Sequence, residues 1–165
     1  TTVSAAKTSV SDGAFAAKEL FKTQACGSQT HPPALFEGHL YVNSNDNSRR
    51  DGMMCLTLAG EVKWKTALSP NFEKGALLLA DGLILNVDGA KGDLRLIEPS
   101  PAGYKELAHA SLLEPKGAWA PLCLVGEKLI LRDQTQLLCL DVKNPWRRSR
   151  TAWARRQRAG RTGFS

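Results

Sequence analysis

The chain has no apolar run approaching the length of a membrane span; its longest, such as Ala76–Ala80, have the length of strands. It carries no C-x-x-C or C-x-x-C-H, and neither G-x-S-x-G nor H-E-x-x-H. Those absences remove the sequence case for a zinc ribbon, attached haem, an α/β-hydrolase nucleophile or a zincin. His31, His39 and His109 share no metal-ligand spacing. No charged segment followed by an apolar one opens the chain at Thr1. That leaves two readings, a removed targeting segment or an internal piece of a longer protein, and the incomplete repeat below favours the second as an expectation. The body also lacks a sizeable net charge of either sign. The net charge is +6, but Trp146 to Ser165 holds seven Arg and no acid, which leaves the rest at −1. A near-neutral body argues against nucleic acid or an anionic membrane as partner.

What is there is a repeat, and Ala34 to Thr66 is its most complete copy. Ala34–Phe36 is a short apolar run ending at Glu37-Gly38, and His39–Val42 is a second β-rich run. A polar loop over Asn43 to Gly52 follows, then Met53–Leu58, the turn Ala59-Gly60, and Glu61–Thr66. Four short strands joined by tight turns predict one antiparallel sheet. Strict alternation in the last strand puts Val62 and Trp64 on one face and Lys63 and Lys65 on the other.

The pattern starts again at Ala76–Ala80, Leu83–Val87, Asp93–Glu98 and Tyr104–Ala110, and a third time at Pro121–Val125, Lys128–Arg132 and Gln136–Val142. Gly38, Gly82 and Gly126 are 44 residues apart each time. A period in the low forties with four strands each predicts an all-β fold, a β-propeller fragment of about three four-stranded antiparallel blades. Sheets are expected over 34–66, 76–110 and 120–142, with little helix. The third copy lacks a fourth strand, while Lys18–Thr23, KELFKT, copies the fourth-strand run VKWKT, with Phe21 in the place of Trp64. Residues 1–17 read as irregular and 18–143 as blades. The Arg-rich tail, 144–165, reads as disordered or non-native: a basic arm or a translated frameshift, two readings that stay open.

The blades resemble the quinoprotein-like (PQQ-like) β-propeller repeats of bacteria. The residues that carry this are Gly38, Leu40-Tyr41-Val42, Leu56-Thr57-Leu58 and Gly60-Glu61-Val62-Lys63-Trp64. That family includes dehydrogenases holding pyrroloquinoline quinone and calcium, and non-enzymatic relatives such as the propeller lipoprotein that helps assemble outer-membrane proteins. Its enzymes carry a vicinal Cys-Cys pair, an Asp base and Glu/Asn calcium ligands; no Cys-Cys occurs here. The resemblance implies a non-catalytic binding or scaffold module, periplasmic or secreted, with missing upstream blades in the same chain. The alternative it implies is a fragment of a PQQ-dependent alcohol or sugar dehydrogenase. Pyrroloquinoline quinone and calcium enter through that resemblance alone.

Strand parity supplies the candidate site. In a four-stranded antiparallel blade, the loop after strand two and the loop leading into strand one emerge on the same side. Asn45, Asp46, Asp88, Arg132 and Asp133 follow second strands; His31 and Trp119 precede first strands. All seven are therefore expected on one face, where a protein partner or small ligand would bind; a glycan is a third option, resting on Trp119 and the polar loops. No catalytic or metal residue is assigned. Asn43 to Asn47 is rich in oxygen donors but lacks the EF-hand frame. Trp64 and Phe21 are expected to pack between blades. Cys26, Cys55, Cys123 and Cys139 read as small buried apolar residues, with an interblade disulfide as the alternative. Cys55 and Cys139 hold matching places in two strands.

Overall fold

The computed structural model describes residues 3–11, 13–45, 50–115 and 117–143. Thirteen strands and no helix occur among them. They form four antiparallel sheets: β1 (Val3–Ser11) with β2 (Ala14–Thr23); β3 (Ala34–Phe36), β4 (His39–Asn45), β5 (Arg50–Thr57) and β6 (Val62–Lys65); β7 (Leu77–Ala80), β8 (Leu83–Val87), β9 (Asp93–Ile97) and β10 (Glu106–Ser111); and β11 (Cys123–Val125), β12 (Lys128–Arg132) and β13 (Leu137–Asp141). Within the last three sheets, strands neighbour one another in chain order. The expected sheets over 34–66, 76–110 and 120–142 are present, and the third has three strands among the described residues. No helix is long and apolar enough to cross a membrane among the described residues.

Turn chemistry sets the register. Phe36 pairs with His39 and Ala80 with Leu83, leaving Glu37-Gly38 and Asp81-Gly82 as two-residue turns with positive φ at both positions. Such turns match the twist of the strands they join, and glycine suits the second position. In the fourth sheet Val125 pairs with Lys128, so Gly126 takes the first turn position instead. The glycine spacing is constant, but the third copy is displaced by one residue in space.

The sheets stack in chain order, and their alternating faces explain why. Leu40, Val42, Met54 and Leu56 form one core with Cys26, and Phe21 from the hairpin packs against it. The intervening residues Tyr41, Met53 and Cys55 point the other way and meet Ile84, Ile97 and Phe72. Val87, Leu129 and Leu131 join the third sheet to the fourth, with Leu113 and Ala118. The second sheet is thus covered on both faces, and β4 and β5 are buried along most of their length. Period-two alternation with both sides apolar is what a layered repeat needs.

Three expectations need correction. The described residues of the 1–17 segment are not irregular: Val3–Ser11 and Ala14–Thr23 pair as a hairpin from Val3 with Thr23 to Ser11 with Ala14. Its small side chains give little hydrophobic periodicity, yet the Asp12-Gly13 dipeptide between the two runs is a hairpin signal. The KELFKT run is consequently half of that hairpin and not a lone fourth strand. Finally, Val62 and Trp64 do not share a face. A register shift places Val62 opposite Leu56 and Trp64 opposite Cys55, so a bulge at Lys63 reverses the parity. Trp64 faces the third sheet, where its Nε1 donates to the Ser100 carbonyl at 2.8 Å and its ring lies 6.3 Å from Tyr104. Phe21 and Trp64 both pack between sheets, as expected of them.

Candidate functional site

The loops at one end of the stack interlock. The loop leading into the second sheet carries Thr30, whose hydroxyl donates to the Lys74 carbonyl at 3.2 Å. It also carries His31, whose buried Nε2 has no hydrogen-bond partner among the described residues and whose pKa is lowered by burial although the Lys74 and Trp119 backbones act to raise it. Lys74 lies in the loop leading into the third sheet, and its ammonium sits 5.2 Å from the Trp119 ring centroid. Trp119 lies in the loop leading into the fourth. Lys74 therefore joins the loops leading into three consecutive sheets. Burial prevails at His31 and favours the neutral ring.

The polar residues that follow second strands mostly close their own loops. Asn45 is buried; its Nδ2 donates to the Asn71 and Glu73 carbonyls at 2.6 Å each, and its Oδ1 accepts from Gly52 N. Asp88 Oδ1 accepts from the amides of Ala90 and Lys91 at 3.0 Å. Asp133 Oδ1 accepts from the amides of Thr135 and Gln136, and its Oδ2 from the Gln136 side chain and Glu114 N. The Thr135 amide foremost, with the Gln136 donors, holds that carboxyl well below its usual range, although burial opposes the charge. A carboxylate whose lone pairs are spent on local N–H groups is a turn-former.

The structure thus brings His31, Trp119, Asp88, Asn45 and Asp133 to one layer, linked through Lys74, Glu73 and Glu114. Arg132 differs: it is exposed, with Nη1 donating to the Asp133 carbonyl at 3.2 Å. Asp46 lies outside the described residues. Trp119 is 41% exposed, so its indole and the Arg132 guanidinium are the groups this layer offers outward. Gly89 lets the indole lie there, since a Cβ would come 2.8 Å from the Trp119 ring and 2.7 Å from Gly75 N.

Two polar clusters were not legible in the sequence. Asn43 and Asn86, both buried, exchange two amide hydrogen bonds at 2.8 Å between the second and third sheets, and Asn43 also donates to the Gly75 carbonyl. Their 43-residue spacing, close to the repeat, was the available signal. Towards the outer strand of the third sheet, Glu106 accepts from Arg95 at 2.6 Å and from the Tyr104 hydroxyl at 2.7 Å, with His109 Nδ1 also at 2.7 Å. Burial opposes the charge of Glu106, but the bonds from Tyr104, Arg95 and His109 prevail and lower its pKa. Burial and the same carboxylate raise the Tyr104 hydroxyl.

Pyrroloquinoline quinone and calcium do not fit the residues described. Among them no three His, Cys, Asp or Glu side chains gather in a metal-holding group, and the loop-end carboxylates of Asp88 and Asp133 are engaged by backbone amides. Comparison with known proteins adds no assignment: no family model matches the chain and no curated protein matches it.

Proposed function

We propose that the chain is a run of propeller-type blades of the quinoprotein-like repeat kind, serving as a non-catalytic binding or scaffold module. The observation that carries this reading is the meeting of three leading loops at Lys74. Loops from three successive sheets reach one residue most readily if the sheets turn about a common centre. The face-to-face stacking in chain order supports the same geometry. A bacterial, exported setting rests on the sequence resemblance.

The binding surface is the loop layer, with Trp119 and Arg132 as its outward groups. An exposed indole and an exposed guanidinium in one loop layer suit a protein segment bearing an aromatic or acidic residue. Photo-crosslinkers at positions 119 and 132 should capture the same polypeptide in the native host, while one at Lys63, on the outer strand β6, should not. Equal capture at all three positions, or none, would count against a defined loop-layer site. The scaffold reading also expects no dye reduction with alcohols or sugars when pyrroloquinoline quinone and calcium are added; stoichiometric quinone binding with turnover would overturn it.

A further inference from the structure

Between the second and third sheets a row of aromatic rings runs from buried sulfur to a carboxylate near the surface. Tyr41, Trp64 and Tyr104 follow one another with ring centroids 6.2 and 6.3 Å apart. At the inner end Tyr41 is buried, opposite Cys55 in the sheet register and in one cluster with Met53. Both sulfur side chains are fully buried, and oxidation would turn them into polar groups that a core cannot hold. At the outer end the Tyr104 hydroxyl donates to Glu106 Oε2 at 2.7 Å, and Glu106 Oε1 meets His109 Nδ1 at 2.7 Å. The His109 side chain is 59% exposed, so the row ends at solvent.

Trp64 and Tyr104 donate to groups of different basicity. Trp64 Nε1 donates to the Ser100 carbonyl at 2.8 Å, which is too weak a base to take the indole proton. Tyr104 donates to a carboxylate. Arg95 donates to the same oxygen at 2.6 Å and weakens that base, but an oxidised phenol is acidic enough to give its proton to any carboxylate it already touches. We propose that Trp64 and Tyr104 form a relay that draws one-electron oxidation away from Tyr41, Cys55 and Met53 and leaves it on Tyr104, beside solvent. The oxidant is a diffusible radical of the carbonate or peroxyl class, which takes one electron from Trp64 and is reduced. Tyr104 returns an electron to the indole cation, and its O–H bond breaks as the proton passes to Glu106 Oε2. Trp64 is restored, Tyr104 becomes a neutral tyrosyl radical, and Glu106 becomes the acid. An electron from a reductant of the ascorbate class, with the proton handed back by Glu106, re-forms the phenol.

Flash oxidation of the whole chain by photogenerated ruthenium(III) tris-bipyridine, a one-electron oxidant, tests the relay. The chain has two tyrosines, so electron paramagnetic resonance of the trapped radical can be assigned by substitution. A tyrosyl signal should appear that Tyr104→Phe removes and Tyr41→Phe leaves, with native circular dichroism in both variants. Glu106→Gln should slow its formation by about 100-fold, within the range of a positioned proton acceptor. Heavy water should slow it in the native chain, because an O–H bond breaks. Mass spectrometry should find more sulfoxide at Met53 in Tyr104→Phe than in the native chain, which a purely structural hydroxyl would not change at equal stability. Three results would each overturn the proposal. One is a tyrosyl signal that survives Tyr104→Phe. Another is a formation rate that neither heavy water nor a folded Glu106→Gln variant moves. The third is equal Met53 oxidation with and without the Tyr104 hydroxyl.

Discussion

Cys55 and Cys139 stand at the same place in two copies of one strand pattern, yet Cys55 is fully buried and Cys139 is exposed. The difference lies in the layers around them. The β3–β6 sheet has the hairpin on one side and the β7–β10 sheet on the other, whereas the β11–β13 sheet has a neighbour on one side only among the described residues. Identical local sequence logic therefore has different energetic weight by position in the stack. A thiol between layers is core, with burial pushing its pKa up. The expectation that all four cysteines are buried holds for Cys26 and Cys55 and fails for Cys123 and Cys139, because burial here is supplied by the next sheet and not by the strand itself.

If the middle sheet is held from both sides and the last from one, truncations should separate them sharply. Tyr41 is buried between the second and third sheets. Tyr41→Ala should cost about 3–5 kcal/mol in urea unfolding, whereas Leu137→Ala, at an exposed position, should stay within about 0.5 kcal/mol. Similar midpoints for the two variants would break the comparison.

A smaller effect is expected at the Asn43–Asn86 pair. Asn43→Ala strands the Asn86 amide in a buried site and should cost about 1–3 kcal/mol. Replacing both residues with Leu should recover part of that loss, and the double-mutant cycle measures how much of the attachment between sheets is polar. Gly89→Ala acts on the terminal side of the comparison. Displacing Trp119 and the Gly75 backbone should cost about 1–3 kcal/mol and loosen the loop leading into the fourth sheet, visible as faster amide exchange at Ala118, whose N–H bonds to the Gly89 carbonyl.

The smallest effect is on pH dependence. The His31 pKa is lowered by burial from its ordinary 6.5, so the unfolded chain takes up the proton first. Stability from this group is complete above 6.5 and declines as pH falls toward the folded value. Glu106, also lowered, contributes stability that is complete above its ordinary 4.5 and is lost as pH falls through its folded value. Unfolding midpoints followed down in pH should decline in both windows, and His31→Gln should flatten the upper one alone. An unchanged upper window in that variant would show that His31 does not couple the loops.

The β pattern was readable because each strand ends at a turn whose residues are specific to it, such as Glu37-Gly38 and Asp81-Gly82. The hairpin at the start was missed because Ala, Ser and Thr give alternation no contrast, leaving one Asp-Gly dipeptide as signal. Parity grouped the candidate loop residues, since it depends only on strand count. It did not show that Asp88 and Asp133 are engaged by amides of their own loops, or that Asn45 reaches the loop leading into the third sheet, although an Asp followed by amides two and three residues on is a recognisable turn motif. Contacts such as the Lys74 ammonium with the Trp119 ring join residues far apart in the chain and arise only when sheets stack.

Individual glycines differ in a way useful for engineering, and Gly60, where a Cβ would come 2.9 Å from Phe21, shows that the difference is local. At the loop end a Cβ on Gly52, Gly75, Gly89 or Gly92 would strike neighbouring atoms within 3 Å, while on Gly38 and Gly126, at the opposite end, it would meet nothing within 4 Å. Foreign sequence spliced into the 37–38 or 126–127 turns would therefore project into open solvent and leave the interlocked layer undisturbed. Tags or epitopes can be carried on those turns, away from the interlocked loops.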